Sequence, residues 1–171
     1  IEAGKVDIFS APFAPGEVCE EGVGIVQSRA RQKNLGLYYF AGRALPPFVV
    51  GDRNRVRQIL INLLTNAIKF TSEGHVVVEL EWTIEPDEIV DLVLRVQDTG
   101  PGISEGDRER IFEKFVQLGP ASRLSSGAGL GLALVQAVAQ LHGGQLFLED
   151  AGPGLRAVLE LPGVENPPAR S

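Results

Sequence analysis

Gln58-Ile59-Leu60-Ile61-Asn62-Leu63-Leu64-Thr65-Asn66-Ala67-Ile68-Lys69-Phe70 reads as a helix with two unlike faces. Val56, Ile59, Leu60, Leu63, Leu64 and Ala67 recur at helical spacing, so the segment from about Asp52 to Phe70 presents one long apolar stripe. Asp52, just before it, is a good N-cap. Asn62, Asn66 and Lys69 follow each other at i, i+4 and i+7, on a second face with Arg55 and Gln58. Asparagine is a poor helix former because its short amide competes for backbone hydrogen bonds. Two of them in mid-helix need a reason. A solvated, locally hydrogen-bonded face is one. A magnesium–phosphate site is another, with an amide carbonyl as one hard oxygen ligand and Lys69 as a point charge for a phosphate. The face has too few carboxylates for calcium.

Outward from this helix, two alternating runs, His75–Ile84 and Ile89–Asp98, read as neighbouring antiparallel strands around 85–88. Upstream, Val6–Phe9 reads as a short strand ended by Pro12 and Pro15. Glu17–Lys33 reads as a helix weakened by its glycines, and Leu35–Ala41 as an extended segment. Downstream, the pattern predicts a short helix over Glu105–Phe115, a mobile loop over 116–126 and a helix over Leu130–Leu141 stopped by Gly143-Gly144. Strands follow at Gln145–Glu149 and Leu155–Leu161. Strands and helices mix without strict alternation. The expected fold is an α/β two-layer sandwich, a mixed and largely antiparallel sheet with helices on one face. Residues 1–162 form one domain, with 163–171 a Pro-rich, frayed tail.

Composition narrows the function. The chain of 171 residues is 44% hydrophobic and 22% charged, that of a folded domain, and its 20 glycines and 11 prolines cluster without a repeat. No apolar run is long enough to span a bilayer. The single Cys19 excludes an internal disulfide, and two histidines exclude a three-histidine metal site. Glu17, Glu20 and Glu21 beside Cys19 would raise its thiol pKa, which reads as inert. A net charge of −6 argues against nucleic acid as a partner. Arg53, Arg55 and Arg57 fan round their helix without making one rail. Trp82, Tyr38 and Tyr39 read as sheet packing. The absence of methionine, even at position 1, predicts a piece of something longer or a processed chain.

Two glycine clusters carry further chemistry. Asp98-Thr99-Gly100-Pro101-Gly102 closes an apolar strand. It is a common turn, yet its aspartate could accept from an exocyclic amine while the glycines let a ring approach the backbone. Gly127-Ala128-Gly129-Leu130-Gly131-Leu132 opens a helix, where backbone N–H groups can hold phosphates. It is neither a Walker loop nor a dinucleotide fingerprint.

In order, these elements resemble the ATP-binding fold shared by type II topoisomerases, Hsp90 chaperones, mismatch-repair proteins and sensor histidine kinases. Residue by residue, the chain is most similar to the catalytic and ATP-binding domain of a bacterial-type histidine kinase. The asparagine motif matches Asn62–Phe70, and the first glycine motif matches Asp98–Ile103. The phenylalanine motif matches Ile111–Phe115, and the second glycine motif matches Gly127–Leu132. His142-Gly143-Gly144 and Leu161-Pro162 complete the likeness over roughly residues 6–162.

The resemblance implies ATP and magnesium as cofactors. Asp98 would hold the adenine amine, Asn66 would ligate magnesium with Asn62 nearby, and Lys69 would meet the phosphates. Asn62, Asn66 and Lys69 form the implied catalytic set. Phe70, Gly100, Gly102, Ile103, Phe115, Arg123, Gly127, Ala128, Gly129, Leu130, Gly131, Leu132 and Leu155 would complete the nucleotide site, with 116–126 as its lid. Ala128 stands where threonine is common, and Leu155-Arg156 where small hydroxyl residues follow Gly152-Pro153-Gly154, which could weaken nucleotide binding. Asn62 replaces the glutamate that activates water in hydrolytic relatives. An amide is no base, so transfer to a protein acceptor is implied over hydrolysis.

Neither His75 nor His142 matches the family's acceptor motif, and both read as structural. The implied acceptor is a histidine in a separate dimerisation domain, N-terminal to residue 1, which passes the phosphoryl group to a response-regulator aspartate. The implied whole is a homodimer, membrane-anchored with this domain in the cytoplasm and monomeric alone, and simple or hybrid. Two alternatives stand beside it: a degenerate, regulatory domain acting by partner binding, and a sigma-factor-binding serine kinase or another ATPase of the fold.

Overall fold

The computed structural model describes residues 9–43, 45–84, 89–110 and 128–165. Along the chain run β1 (Ala11–Phe13), α1 (Pro15–Gln32), β2 (Gly36–Ala41), β3 (Val49–Gly51), α2 (Arg53–Phe70), β4 (His75–Ile84) and β5 (Ile89–Asp98). They are followed by α3 (Glu105–Arg110), α4 (Ala128–Leu141), β6 (Gln145–Asp150) and β7 (Leu155–Glu165).

Five strands form one sheet in the order β2-β4-β5-β7-β6. β2 runs parallel to β4, and the remaining neighbours are antiparallel. The period-2 alternation of each strand sorts residues to two faces. Val76, Val78, Leu80, Leu92, Leu94, Val96, Leu146, Ala157, Leu159 and Leu161 are buried on one. Glu79, Glu81, Arg95, Gln97, Glu149, Arg156 and Glu160 stand on the other, where Arg95 pairs with Glu81 at 2.7 Å. α1, α2 and α4 cover the apolar face with Val18, Val26, Ile59, Leu60, Leu64, Val135 and Val138. Each fully buried leucine of this layer stabilises the fold by about 1.5–3 kcal/mol. The two-layer sandwich with helices on one face is therefore the observed fold.

The glycines of α1 do not break it. Gly22 is buried against α2, and a Cβ there would lie 2.7 Å from Leu60 Cδ2, so the small residue sets the closeness of the two helices. α1 also starts earlier than expected, at Pro15, whose fixed φ and missing N–H suit a first helical turn.

The expected strand at Val6–Phe9 is corrected. Residues 6–8 lie outside the described residues, Phe9 is in no strand, and the strand falls on Ala11–Phe13. β1 pairs with β3 in a two-stranded ribbon, Pro12 opposite Val50. Such a ribbon has a free edge on which a proline costs no ladder bond. At the other end, β7 runs to Glu165, so residues 163–165 are sheet where a tail was expected. The pairing shifts between Leu92 opposite Leu161 and Val90 opposite Val164, a bulge at Pro162-Gly163. The expected lid, residues 111–115 of the expected helix and residues 166–171 lie outside the described residues.

Candidate functional site

The carboxyl end of α2, the end of β5 and the starts of α4 and β7 surround one cleft. Leu63, Asn66, Ala67 and Phe70 line it from α2, Val96 and Asp98 from β5, and Leu132 from α4. Ile103, Leu148, Leu155 and Ala157 close it. The lining is apolar but for Asp98 and Asn66. An apolar cleft with a few placed polar groups is the usual form of a small-molecule site.

Asp98 is 6% exposed. Its Oδ1 accepts from the Gly100 N–H at 2.9 Å and the Leu155 N–H at 3.2 Å. Among the described residues, nothing donates to Oδ2. Burial pushes the carboxyl pKa up, against the pull of the two N–H donors.

The glycines around Asp98 let three backbone segments pack closely. A Cβ at Gly100 would lie 2.8 Å from the Phe70 carbonyl oxygen, and one at Gly102 (φ 74°) would lie 2.9 Å from that of Gly154. Gly154 (φ 102°) in turn lies against the Asp98 backbone. Only residues without a Cβ let the end of α2, the turn after β5 and the start of β7 converge on one carboxylate.

Asp52 caps α2, its Oδ1 accepting from Arg55 N at 3.1 Å. The buried stripe of α2 comprises Val56, Ile59, Leu60, Leu63, Leu64, Ala67 and Ile68, leaving Asn62 and Asn66 half-buried beside it. Lys69 is exposed, its Nζ 5.9 Å from the centre of the Phe70 ring. The asparagine face thus reaches the cleft through Asn66 and Phe70. At the second glycine motif, α4 begins at Ala128, so Ala128, Gly129, Leu130 and Gly131 form its first turn and Leu132 reaches the cleft. Phe115, Arg123 and Gly127 lie outside the described residues.

Lys33 is a support that no motif marks. Its Nζ donates to the carbonyls of Ile68 at 2.6 Å and Lys69 at 3.2 Å, capping the end of α2 beside the cleft. A lone lysine after a helix gives no signal of a partner 35 residues away.

The residues read as inert have structural partners. Cys19 is buried beside Tyr39, and burial foremost pushes its thiol up to about 12, with Glu20 a lesser cause in the same, expected direction. His142 Nδ1 donates to the Val138 carbonyl at 2.9 Å, and its Nε2 accepts from Asp52 N at 3.3 Å. His75 meets the Tyr38 ring edge-on, with centroids 6.1 Å apart.

Residues 51–165 match the family described as histidine kinase-, DNA gyrase B- and HSP90-like ATPase. The chain belongs to that family. It is 37% identical over 155 residues to the sensor histidine kinase GacS of Pseudomonas protegens, covering 90% of this chain and 17% of that protein. It is 38% identical over 164 residues to the autoinducer 2 sensor kinase/phosphatase LuxQ of Vibrio cholerae, covering 95% and 19%. Among solved structures, full-length ShkA in complex with AMPPNP superposes with a TM-score of 0.79 at 30% identity, over 98% of this chain and 34% of that one. The mycobacterial sensor histidine kinase MprB superposes with a TM-score of 0.70 at 30% identity, over 92% and 99%. Within the family, the chain sits with the ATP-binding catalytic domains of histidine kinases. It spans less than a fifth of the length of GacS and LuxQ.

Proposed function

We propose that this domain binds ATP with magnesium and transfers the γ-phosphoryl group to a histidine on a separate dimerisation domain of a longer, homodimeric sensor kinase. The observation that carries the reading is Asp98, a buried carboxylate with one oxygen held by the backbone and the other unengaged among the described residues, at the base of an apolar cleft. Adenine, with one exocyclic amine, is the complement of that arrangement.

Asn66 and Asn62 supply the amide oxygens for the metal. No cluster of three His, Cys, Asp or Glu that could cage an ion occurs among the described residues. That donor set fits magnesium, which keeps several waters and is held largely through substrate phosphates in place of an all-protein cage. Bound there, the ion would neutralise the phosphates. Lys69 would add a positive charge at the mouth of the cleft, and the first turn of α4 would offer backbone N–H groups. No side chain on the asparagine face is a general base, which favours a protein acceptor over water.

Among the described residues, no helix is long and apolar enough to cross a membrane. We place the domain on the cytoplasmic side, where ATP is available, with its own acceptor domain and a response-regulator receiver as partners.

The deciding measurement is transfer from γ-labelled ATP, by the 171-residue chain alone and by a longer chain carrying the acceptor domain. Phosphoryl transfer depends on positioning, so a site without an oriented nucleophile should be nearly silent. Acid-labile, base-stable label only on the longer chain, and lost when its acceptor histidine is replaced, is the expected result. Label on the 171-residue chain alone refutes the acceptor assignment. A longer chain that binds ATP yet stays unlabelled with its signal present makes the domain a regulatory one.

A further inference from the structure

Leu155 and Arg156, the pair that departs from the family pattern, stand directly across from the strand that carries Asp98. Gln97 pairs with Arg156 on one side, and Glu149 pairs with it on the other. Successive residues of a strand face opposite ways, so Leu155 reaches the cleft while Arg156 lies on the outer, polar face of the sheet.

There the guanidinium is forked. Nε and one terminal nitrogen donate to the same Gln97 oxygen at 2.9 and 2.8 Å, and the other terminal nitrogen reaches Glu149 Oε2 at 3.4 Å. The Glu149 contact joins side chains 51% and 36% exposed, so it contributes little. The contact with Gln97, half-buried and between residues directly opposite, is the one that constrains the strands. One residue before the clamp, the Leu155 N–H meets Asp98 Oδ1 at 3.2 Å, near the long limit for an N–H···O bond. A small displacement of β7 along or away from β5 would break it.

We infer that Arg156 is a positioning residue for Asp98: clamped to Gln97 behind the sheet, it holds β7 so that the Leu155 N–H reaches the Asp98 carboxylate. The donor that a side-chain hydroxyl would bring to this corner of the cleft is supplied here by a backbone N–H secured from the opposite face. The consequence for nucleotide rests on the proposed role of Asp98; the strand positioning does not.

The test compares Arg156→Met, which keeps the stem and loses the fork, with Arg156→Lys and Gln97→Glu. Lysine offers a single ammonium, whereas a carboxylate at position 97 still accepts the fork. Two readouts are needed: the Leu155 amide resonance of the nucleotide-free chain, and calorimetric affinities for ATP and for purine riboside triphosphate, which lacks the exocyclic amine.

In Arg156→Met the Leu155 amide proton should move upfield, and ATP affinity should fall about threefold to tenfold. Purine riboside triphosphate should weaken less, so that selectivity falls. Arg156→Lys should lie between, and Gln97→Glu should retain both the resonance and the selectivity. An unmoved Leu155 amide overturns the inference, as does equal weakening of both nucleotides where Asp98→Asn does change their selectivity, the mark of a merely loosened fold. Asp98→Asn measured alongside separates the two claims. If it leaves selectivity untouched, the nucleotide role of Asp98 fails, while the Leu155 resonance still decides the positioning.

Discussion

Asp98 Oδ1 accepts from two backbone N–H groups and Oδ2 from none among the described residues, so asparagine there would keep the first arrangement and put a donor in place of the second acceptor. The amide oxygen of Asp98→Asn can accept from Gly100 and Leu155, while its NH2 would face the amine of adenine, donor against donor. ATP affinity should fall at least about tenfold, with preference moving toward inosine or guanosine triphosphate, whose 6-oxygen accepts. Calorimetric titration with the three nucleotides checks this; unchanged preference would remove Asp98 from the recognition site. The same substitution separates function from stability. Burial raises the Asp98 pKa, so the carboxyl favours the folded state when protonated, and that contribution is lost as pH rises through its folded pKa. At pH 7 Asp98→Asn should therefore unfold at the same temperature as the native chain or above it, with the margin shrinking as pH falls. Thermal unfolding across that range gives the sign.

At the scale of the element, the long helix was legible because its apolar positions recur from Val56 to Ala67, over more than three turns, and its asparagine face could be picked out as the residues off that stripe. The strand pair at residues 75–98 was legible for the same reason at period two. What escaped the sequence was pairing at a distance. Nothing local tells that β2 runs parallel to β4, that Gly22 belongs against Leu60, that Pro12 lies in a ribbon edge, or that Arg156 grips Gln97. The motifs named Asn66, Phe70, Asp98, Ile103, Leu132 and Leu155, which line one cleft, but not the residues that support them. Lys33 is such a support, bound to the carbonyls of Ile68 and Lys69 where α2 would otherwise end with unmet acceptors. Lys33→Met keeps the aliphatic stem and removes the donor. Global stability should fall by no more than about 1 kcal/mol, since the ammonium is largely solvated. The local effect should be larger: faster amide exchange at Phe70 and Thr71, whose own N–H reaches Ala67 O at 3.1 Å. Unchanged exchange there would make Lys33 a surface lysine only.

Across the whole molecule, Asp52 joins parts that the sheet does not. Its Oδ1 caps α2, its Oδ2 accepts from Phe9 N at 2.9 Å in the segment leading into β1, and its own N–H donates to His142 at the end of α4. Burial opposes its ionisation, but the N–H donors of Phe9 and Arg55, helped by His142 and Arg55, hold the carboxyl below the usual range. Asparagine still caps a helix, yet its NH2 would confront the Phe9 N–H; alanine loses cap and tie together. Asp52→Asn should therefore cost about 1 kcal/mol and Asp52→Ala about 1–2 kcal/mol at pH 7 by denaturant unfolding. Because the folded pKa is depressed, the carboxylate's contribution is present above the ordinary value of about 3.9 and disappears as pH falls through the lower, folded one. The native chain and Asp52→Asn should accordingly converge in stability below pH 4. Amide exchange at Phe9 supplies the independent measure, protected at pH 7 in the native chain and fast in Asp52→Asn. Equal exchange in both would show that the segment before β1 is held by something other than this carboxylate.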